Sequence, residues 1–299
     1  MWGVFLMSEK EFKTIDEQLA ILKSRGLTVY NEEKAKSFLL QNNYYRISGY
    51  SLTLRDHDQF FPKACFQNIV DIYSFDHELR HILLKYIEKI EVKMKSIYAY
   101  RFAEIHGPAG YLDNSYFTDS TQYQKTMDKV EDQKVRRLEH EAYLKHFVKD
   151  LKQDVPLWAV VDLMTIADIS QLYSISEESI RDSVAKDFGF TTKDNTLLLG
   201  SMMKSMTIIR NLCAHGSRLF NRLFEQRPWL SKKEKGCLIK YQNGMIDNSH
   251  LYGFIFLARR LLEHEDFLQM KTEIIRLSEN IPFVDMKHYG FRKDWKEVL

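Results

Sequence analysis

The chain has 299 residues, room for one large or two modest domains with a substantial buried core. With 44% apolar and 28% charged residues, and only 12 Gly and 5 Pro, it excludes a disordered chain, a turn-rich all-β fold and long flexible linkers, leaving a soluble, helical protein. A formal charge of +2 is too small to announce a nucleic-acid partner, so any such site must come from local clustering; three cysteines without C-x-x-C spacing (Cys65, Cys213, Cys237) exclude a disulfide framework or zinc knuckle and fit a reducing cytosol. No apolar run approaches bilayer length, and Met1–Met7 is too short and uncharged for a signal peptide, with Met7 an alternative start. A cytoplasmic protein with no membrane partner is expected.

In chain order, Thr14-Ile15-Asp16-Glu17 has capping-box spacing ahead of a helix that Gly26 stops, and Asn31 caps a second helix running to Leu40. Tyr44-Tyr45-Arg46-Ile47-Ser48-Gly49-Tyr50 is an aromatic and basic cluster in which Gly49 breaks the helical period. Its rings and Arg46 suit base stacking and phosphate contact, although buried tyrosines at a helix–loop junction give the same letters. From Phe66 to Ile105 an apolar stripe (Ile69, Tyr73, Leu79, Ile82, Leu83, Tyr86, Ile90, Met94, Ile97, Phe102) predicts a long helix, or two collinear ones, as the spine of a bundle, ended by Gly107-Pro108-Ala109-Gly110. Gln122–Leu151 reads as a charged helix with a thin apolar seam, and Leu157–Tyr173, behind Pro156, as a central helix apolar nearly all round. Ser176 is expected to cap a helix to Phe188 closed by Gly189. Met202, Met203 and Met206 read as core filler, Ser231–Gly236 as a basic loop, and Leu251–Leu262 and Phe267–Leu277 as the closing helices.

The stretch Ile208–Arg222, IIRNLCAHGSRLFNR, organises the chain. If helical, it stacks Asn211, His215, Arg218 and Arg222 on one face at spacings of four, three and four, with Ile209, Leu212, Leu219 and Leu223 as an opposite apolar stripe. Arg and His together suit a phosphodiester: Arg offers a planar fork for phosphate oxygens, and His exchanges protons near neutral pH. Asn211, one turn before His215, is placed to bond the ring and fix its tautomer.

Arg210-Asn211-x-x-x-His215 followed by Ser217-Arg218-Leu219-Phe220-Asn221-Arg222 resembles the signature of the Abi-like abortive-infection proteins (AbiD/AbiF type), whose R-x4-6-H motif places them in the HEPN superfamily of helical RNA-binding and RNA-cleaving domains. N-Y-Y-R-x-S-G-Y at Asn43–Tyr50, F-D-H-E-L-R from Phe75, I-E-K-I-E-V-K from Ile87, G-P-x-G-Y-L from Gly107 and a G-F-x-x-x-W tail ending at Trp295 are similar to that family in the same order. The resemblance implies an all-α, HEPN-like helical bundle (63–282) behind a helical N-terminal region (8–62), with a C-terminal tail (283–299). It implies phage defence by a toxin acting on RNA, with a structured RNA as a restraining partner; because one His does not easily serve as acid and base at once, a symmetric homodimer is expected to supply the other. The activity expected is metal-independent endoribonuclease chemistry without cofactor. His215 would move protons, Arg210 stabilise the phosphorane, and Asn211 orient the ring; Arg218 and Arg222 would hold flanking phosphates, with Tyr44, Tyr45 and Arg46 as further RNA contacts. The sequence departs from its relatives at Gly216, where a second His is usual.

Three alternatives stay open. A HEPN-like module that binds RNA without cutting it would carry the same spacing. Arg101 and His106 form a second R-x4-H, able to build a composite site or simply to sit at a helix end. His77-Glu78-Leu79-Arg80-His81 is a literal H-E-x-x-H, which on a helix puts both imidazoles on the face a zinc hydrolase needs, though no third ligand is fixed by sequence.

Overall fold

The computed structural model describes residues 11–191 and 193–299, so the Met1–Met7 segment, the start at Met7 and the first residues of the 8–62 region lie outside the described residues. The fold is all-α, apart from a small antiparallel hairpin of β1 (Arg55–Asp56) and β2 (Gln59–Phe60). The chain divides into two compact units, one reaching Glu78 and including Leu277–Asp285, the other comprising Leu79–Arg276 and Met286–Leu299. Among the described residues no helix is long and apolar enough to cross a membrane.

In the first unit, α1 (Ile15–Ser24) begins at the Thr14 capping box. Thr14 Oγ1 accepts from the Glu17 amide, and the Glu17 carboxylate accepts from the Thr14 amide. Asn31 caps α2 (Glu32–Asn42) in the same way. Helix α3 (Tyr44–Tyr50) corrects one expectation: Gly49 does not break the period. The break falls earlier, at Asn43, whose left-handed φ of 62° turns the chain and whose side chain then accepts from the Tyr45 amide. The helix carries Tyr50 into the core. Its ring meets Tyr73 edge-on at 5.2 Å, and its hydroxyl donates to Asp76 Oδ2 at 2.8 Å, which supplies a donor to a fully buried carboxylate.

Helix α4 (Phe66–His106) is unbroken over 41 residues. In the second unit it buries Leu79, Leu83, Tyr86, Ile90, Met94, Tyr98 and Phe102, spaced by three or four, each worth about 1.5–3 kcal/mol relative to exposure. That makes it the spine of this unit. Lys85, Lys89 and Lys93, on its outer edge, pair with Glu273, Asp266 and Glu263.

Two expected helices are interrupted. Gln122–Leu151 divides into α5 (Ser120–Arg137) and α6 (Ala142–Lys145), the latter continuing as a wide π-turn over His146–Leu151. No side chain is fully buried between Val130 and Leu144, so packing does not carry the helix across residues 138–141. Leu157–Tyr173 divides into α7 (Leu157–Val160), a 3-10 turn at Val161–Leu163 and α8 (Ile166–Ile175), because Thr165 and Asp168 form a capping box that starts a fresh helix. Ser176 closes α8 instead of capping the next helix. Its hydroxyl donates to Leu172 O, while α9 (Glu178–Asp187) starts without a side-chain cap.

Helix α10 (Lys193–Ala214) packs against α8, α9 and α12 (Tyr252–Leu261) and buries Met202, Met203 and Met206. Gly200 permits the approach to α8: a Cβ there would sit 3.2 Å from Ser174 Oγ and 3.5 Å from the Tyr173 ring. The short α11 (Lys232–Lys235), α13 (His264–Asn280) and α14 (Trp295–Val298) complete the chain, with Phe291 edge-on to Trp295 at 5.0 Å.

Candidate functional site

The motif helix stops at Ala214. Gly216, at φ +63°, takes the left-handed position of a Schellman cap: its amide donates to Cys213 O (3.1 Å) and the Ser217 amide to Leu212 O (2.8 Å). The helical face of Asn211, His215, Arg218 and Arg222 is therefore not formed, since the last two lie beyond the cap. Leu223, expected on the apolar stripe, is 67% exposed for the same reason. Instead, residues 217–222 form a turn anchored by the buried Leu219 and Phe220. Within it Arg218 Nη1 donates to Phe220 O (2.7 Å) and Arg222 Nη1 to Arg218 O (3.4 Å), while the buried Arg80 approaches Ser217 O from α4 at 3.5 Å. Three guanidinium groups thus meet carbonyl oxygens at or just beyond the electronegative end of α10.

Arg210 sits in the last turns of α10 and is held from α4. Its Nε lies 3.4 Å from Glu91 Oε2, whose other oxygen takes Lys95 Nζ at 3.0 Å, and its Nη1 donates to Asn211 Oδ1 at 3.5 Å. Glu91 is 13% exposed and Arg210 32%, so the carboxylate is sheltered while the guanidinium faces outward in part. One carboxylate contact uses one of Arg210's five N–H groups, and Nη2 has no partner among the described residues. His215, the residue after the helix, is exposed, and its amide donates to Asn211 O at 3.0 Å. Its ring has no hydrogen-bond partner among the described residues, so Asn211 does not fix the tautomer; its amide oxygen serves Arg210 instead.

A groove of about 710 Å³ opens beside this network, lined by Lys95, Val92, Ala99, Tyr100, Trp158 and Glu104 among others. Glu104 joins it to the second R-x4-H. There Arg101 grips Asp187 through Nε (2.6 Å) and Nη2 (2.8 Å) and also donates to Glu104 (2.8 Å). His106 Nε2 lies 2.9 Å from Glu177 and its ring stacks on Tyr116 at 3.6 Å. Asp187 is held below the ordinary carboxylate range by the Arg101 bonds, and Glu177 likewise, first by Ser179 and then by His106. Both heads are occupied by carboxylates, the arrangement of a structural clasp.

Tyr44, Tyr45 and Arg46 belong to the first unit. Tyr45 and Arg46 are exposed, with the Arg46 guanidinium 5.8 Å from the Tyr73 ring centre, and Arg25 approaches the Tyr44 hydroxyl at 3.5 Å. On α4, His77, Glu78 and His81 bring one possible ligand atom each within 4.8 Å of one another, all three exposed. They could supply part of a metal shell, but with Glu78 as a ligand no base remains, and no fourth donor joins them among the described residues.

The sequence model of the family described as Abi-like protein matches residues 37–221, which takes in the motif up to Asn221 and every contact to Arg210 described above. The chain belongs to the Abi-like family. No curated protein and no solved structure matches it. Membership carries a role in abortive-infection phage defence. Within this Abi-like chain, the polar contacts that reading the motif alone missed are Glu91, Lys95 and Arg80. The signal for Glu91 and Arg80 lay in I-E-K-I-E-V-K and D-H-E-L-R, with Lys95 two residues past the first, where charged residues recur against the apolar stripe of a helix.

Proposed function

We propose that this Abi-like protein acts on RNA as a HEPN-type endoribonuclease toxin of the abortive-infection response, using Arg210 and His215 without a metal. The observation that carries this reading is the placement of the two heads. A guanidinium held from behind by a sheltered carboxylate keeps N–H groups for phosphate oxygens, and an exposed imidazole follows the end of the same helix. His215 takes the proton of a ribose 2′-hydroxyl or protonates the leaving 5′-oxygen, and Arg210 stabilises charge developing on the phosphorane. Arg218 and Arg222, which both sit on the turn just beyond the motif helix, hold the flanking phosphates, and Tyr45 and Arg46 offer a further contact surface. One imidazole does not serve as acid and base in a single displacement, so the second comes from another copy in a symmetric dimer. A structured RNA partner restrains the toxin in the absence of phage.

A second reading, RNA binding without cleavage, is favoured by Gly216, which sits in a left-handed turn at the position where a second imidazole would otherwise stand, and by the unsupported His215 ring. The two separate by the products formed from RNA in excess chelator. Fragments with 2′,3′-cyclic phosphate ends support cleavage, and retention of intact RNA supports binding alone.

A further inference from the structure

Just beyond the matched stretch 37–221, residues 226–243 hold five basic side chains (Arg227, Lys232, Lys233, Lys235, Lys240) against one acid, Glu234, a local excess of four in a chain whose total is +2. Glu234 does not neutralise its neighbours, because it caps α11 through Ser231 and takes Arg260 as its ion-pair partner. All five basic side chains are exposed, and none is in an ion pair among the described residues. The same segment leaves two rings in water, Trp229 and Tyr241, each 46% exposed.

Neither ring hangs loose. The Arg260 guanidinium lies 5.4 Å from the centre of the Trp229 ring, and the preceding carbonyl of Pro228 accepts from Asn248 Nδ2 at 2.8 Å. Tyr241 donates through its hydroxyl to Asp247 Oδ2 at 3.0 Å, and Asp247 is buried and fixed by Ser249 and by His250 Nδ1 at 2.8 Å. Arg292 Nη1 ties Gly236 O to the tail at 3.1 Å. Rings whose orientation is set before binding lose little freedom when a flat partner stacks on them.

We propose that this segment is a docking surface for single-stranded RNA, with Trp229 and Tyr241 stacking on bases and Lys232, Lys233, Lys235 and Lys240 contacting phosphates. It rests on the reading of the protein as RNA-acting. Single strands are the fit because only unpaired bases offer a face to a ring, whereas a duplex offers phosphates alone to a surface of this kind. The lysines account for affinity and the rings for the choice of strand.

The test uses the full chain and a labelled 2′-O-methyl oligouridine, which cannot be cut and so reports binding whether or not the protein is a nuclease. By fluorescence anisotropy, Trp229→Ala and Tyr241→Ala are each expected to weaken binding about fivefold or more, with little change for a duplex of equal length. Lys232→Gln with Lys233→Gln and Lys235→Gln is expected to reduce the slope of log affinity against log salt by about 2. On the unaltered protein, the bound oligonucleotide should protect Lys232, Lys233, Lys235 and Lys240 from acetylation, which keeps the test independent of how the variants fold. Unchanged affinity in the ring variants overturns the proposal. So do equal losses on duplex, absence of lysine protection, or preference for phosphatidylserine vesicles over the oligonucleotide. None of these results touches cleavage of ordinary RNA by Arg210 and His215, so the two readings fail separately.

Discussion

Replacing Gly216 by Ala tests whether the cap that ends the motif helix is what holds His215 in place. At φ +63° the new Cβ meets the left-handed penalty of about 1–2 kcal/mol, offset by about 0.4–1 kcal/mol from the stiffer unfolded chain. The net loss is about 1 kcal/mol, a fall of about 2–4 °C in Tm for a folding unit of this size. Activity falls further than stability. The Gly216 and Ser217 amides close the cap onto Cys213 and Leu212, so a shift there moves His215 directly, and misplacing a catalytic group by about 1 Å costs about a hundredfold in rate. Far-UV circular dichroism melts and single-turnover RNA cleavage measure the two effects on one preparation. An unchanged or raised Tm would refute the assigned cap, and a cleavage rate that follows only the small loss of folded protein would refute the link to His215.

Glu91→Gln keeps the shape but removes the charge behind Arg210; the expected outcome is at least about a tenfold drop in cleavage per folded molecule, with a stability loss of about 1–3 kcal/mol because the sheltered carboxylate also pairs Lys95. Arg101→Ala combined with His106→Ala removes the clasp to Asp187, Glu104 and Glu177, and should lower Tm while the cleavage rate per folded molecule stays at the unaltered value. Acid should destabilise the second unit through Asp247. Burial alone would raise this carboxyl, but bonds from His250, Ser249 and Tyr241 outweigh it and hold it below the ordinary range. A depressed folded-state value means that its stabilisation is complete above the unfolded value near 3.9 and disappears as pH falls through the folded one. Asp247→Asn should therefore melt lower at neutral pH and show a shallower dependence of Tm on pH below about 4, read by the same melts.

Much of this architecture was legible in the sequence because it rests on periodicity and capping. The stripe from Leu79 to Phe102 repeats at three and four over several turns, and Thr14 with Glu17 spells a helix start. The interruptions were harder to read. Asn43 turns the chain with its backbone while Gly49, the residue that looked like a breaker, lies inside a helix. Residues 138–141 and 164–165 continue a plausible helical pattern, and only packing or a side-chain cap stops it. At the candidate site the motif singled out Arg210 and His215, but helical spacing from Asn211 through His215 to Arg218 and Arg222 ran past the end of the helix at Ala214. Glu91 was hidden for a different reason: it reaches Arg210 from a helix far earlier in the chain, and a single sequence carries no record of that pairing.

The most direct test of the central claim is the single-turnover rate of RNA cleavage in excess chelator, compared between the unaltered protein, Arg210→Ala and His215→Ala. Cleavage that persists in chelator and falls about a hundredfold or more in each variant is the predicted result. A rate indifferent to both substitutions, or one abolished by chelator and restored by zinc, would contradict it.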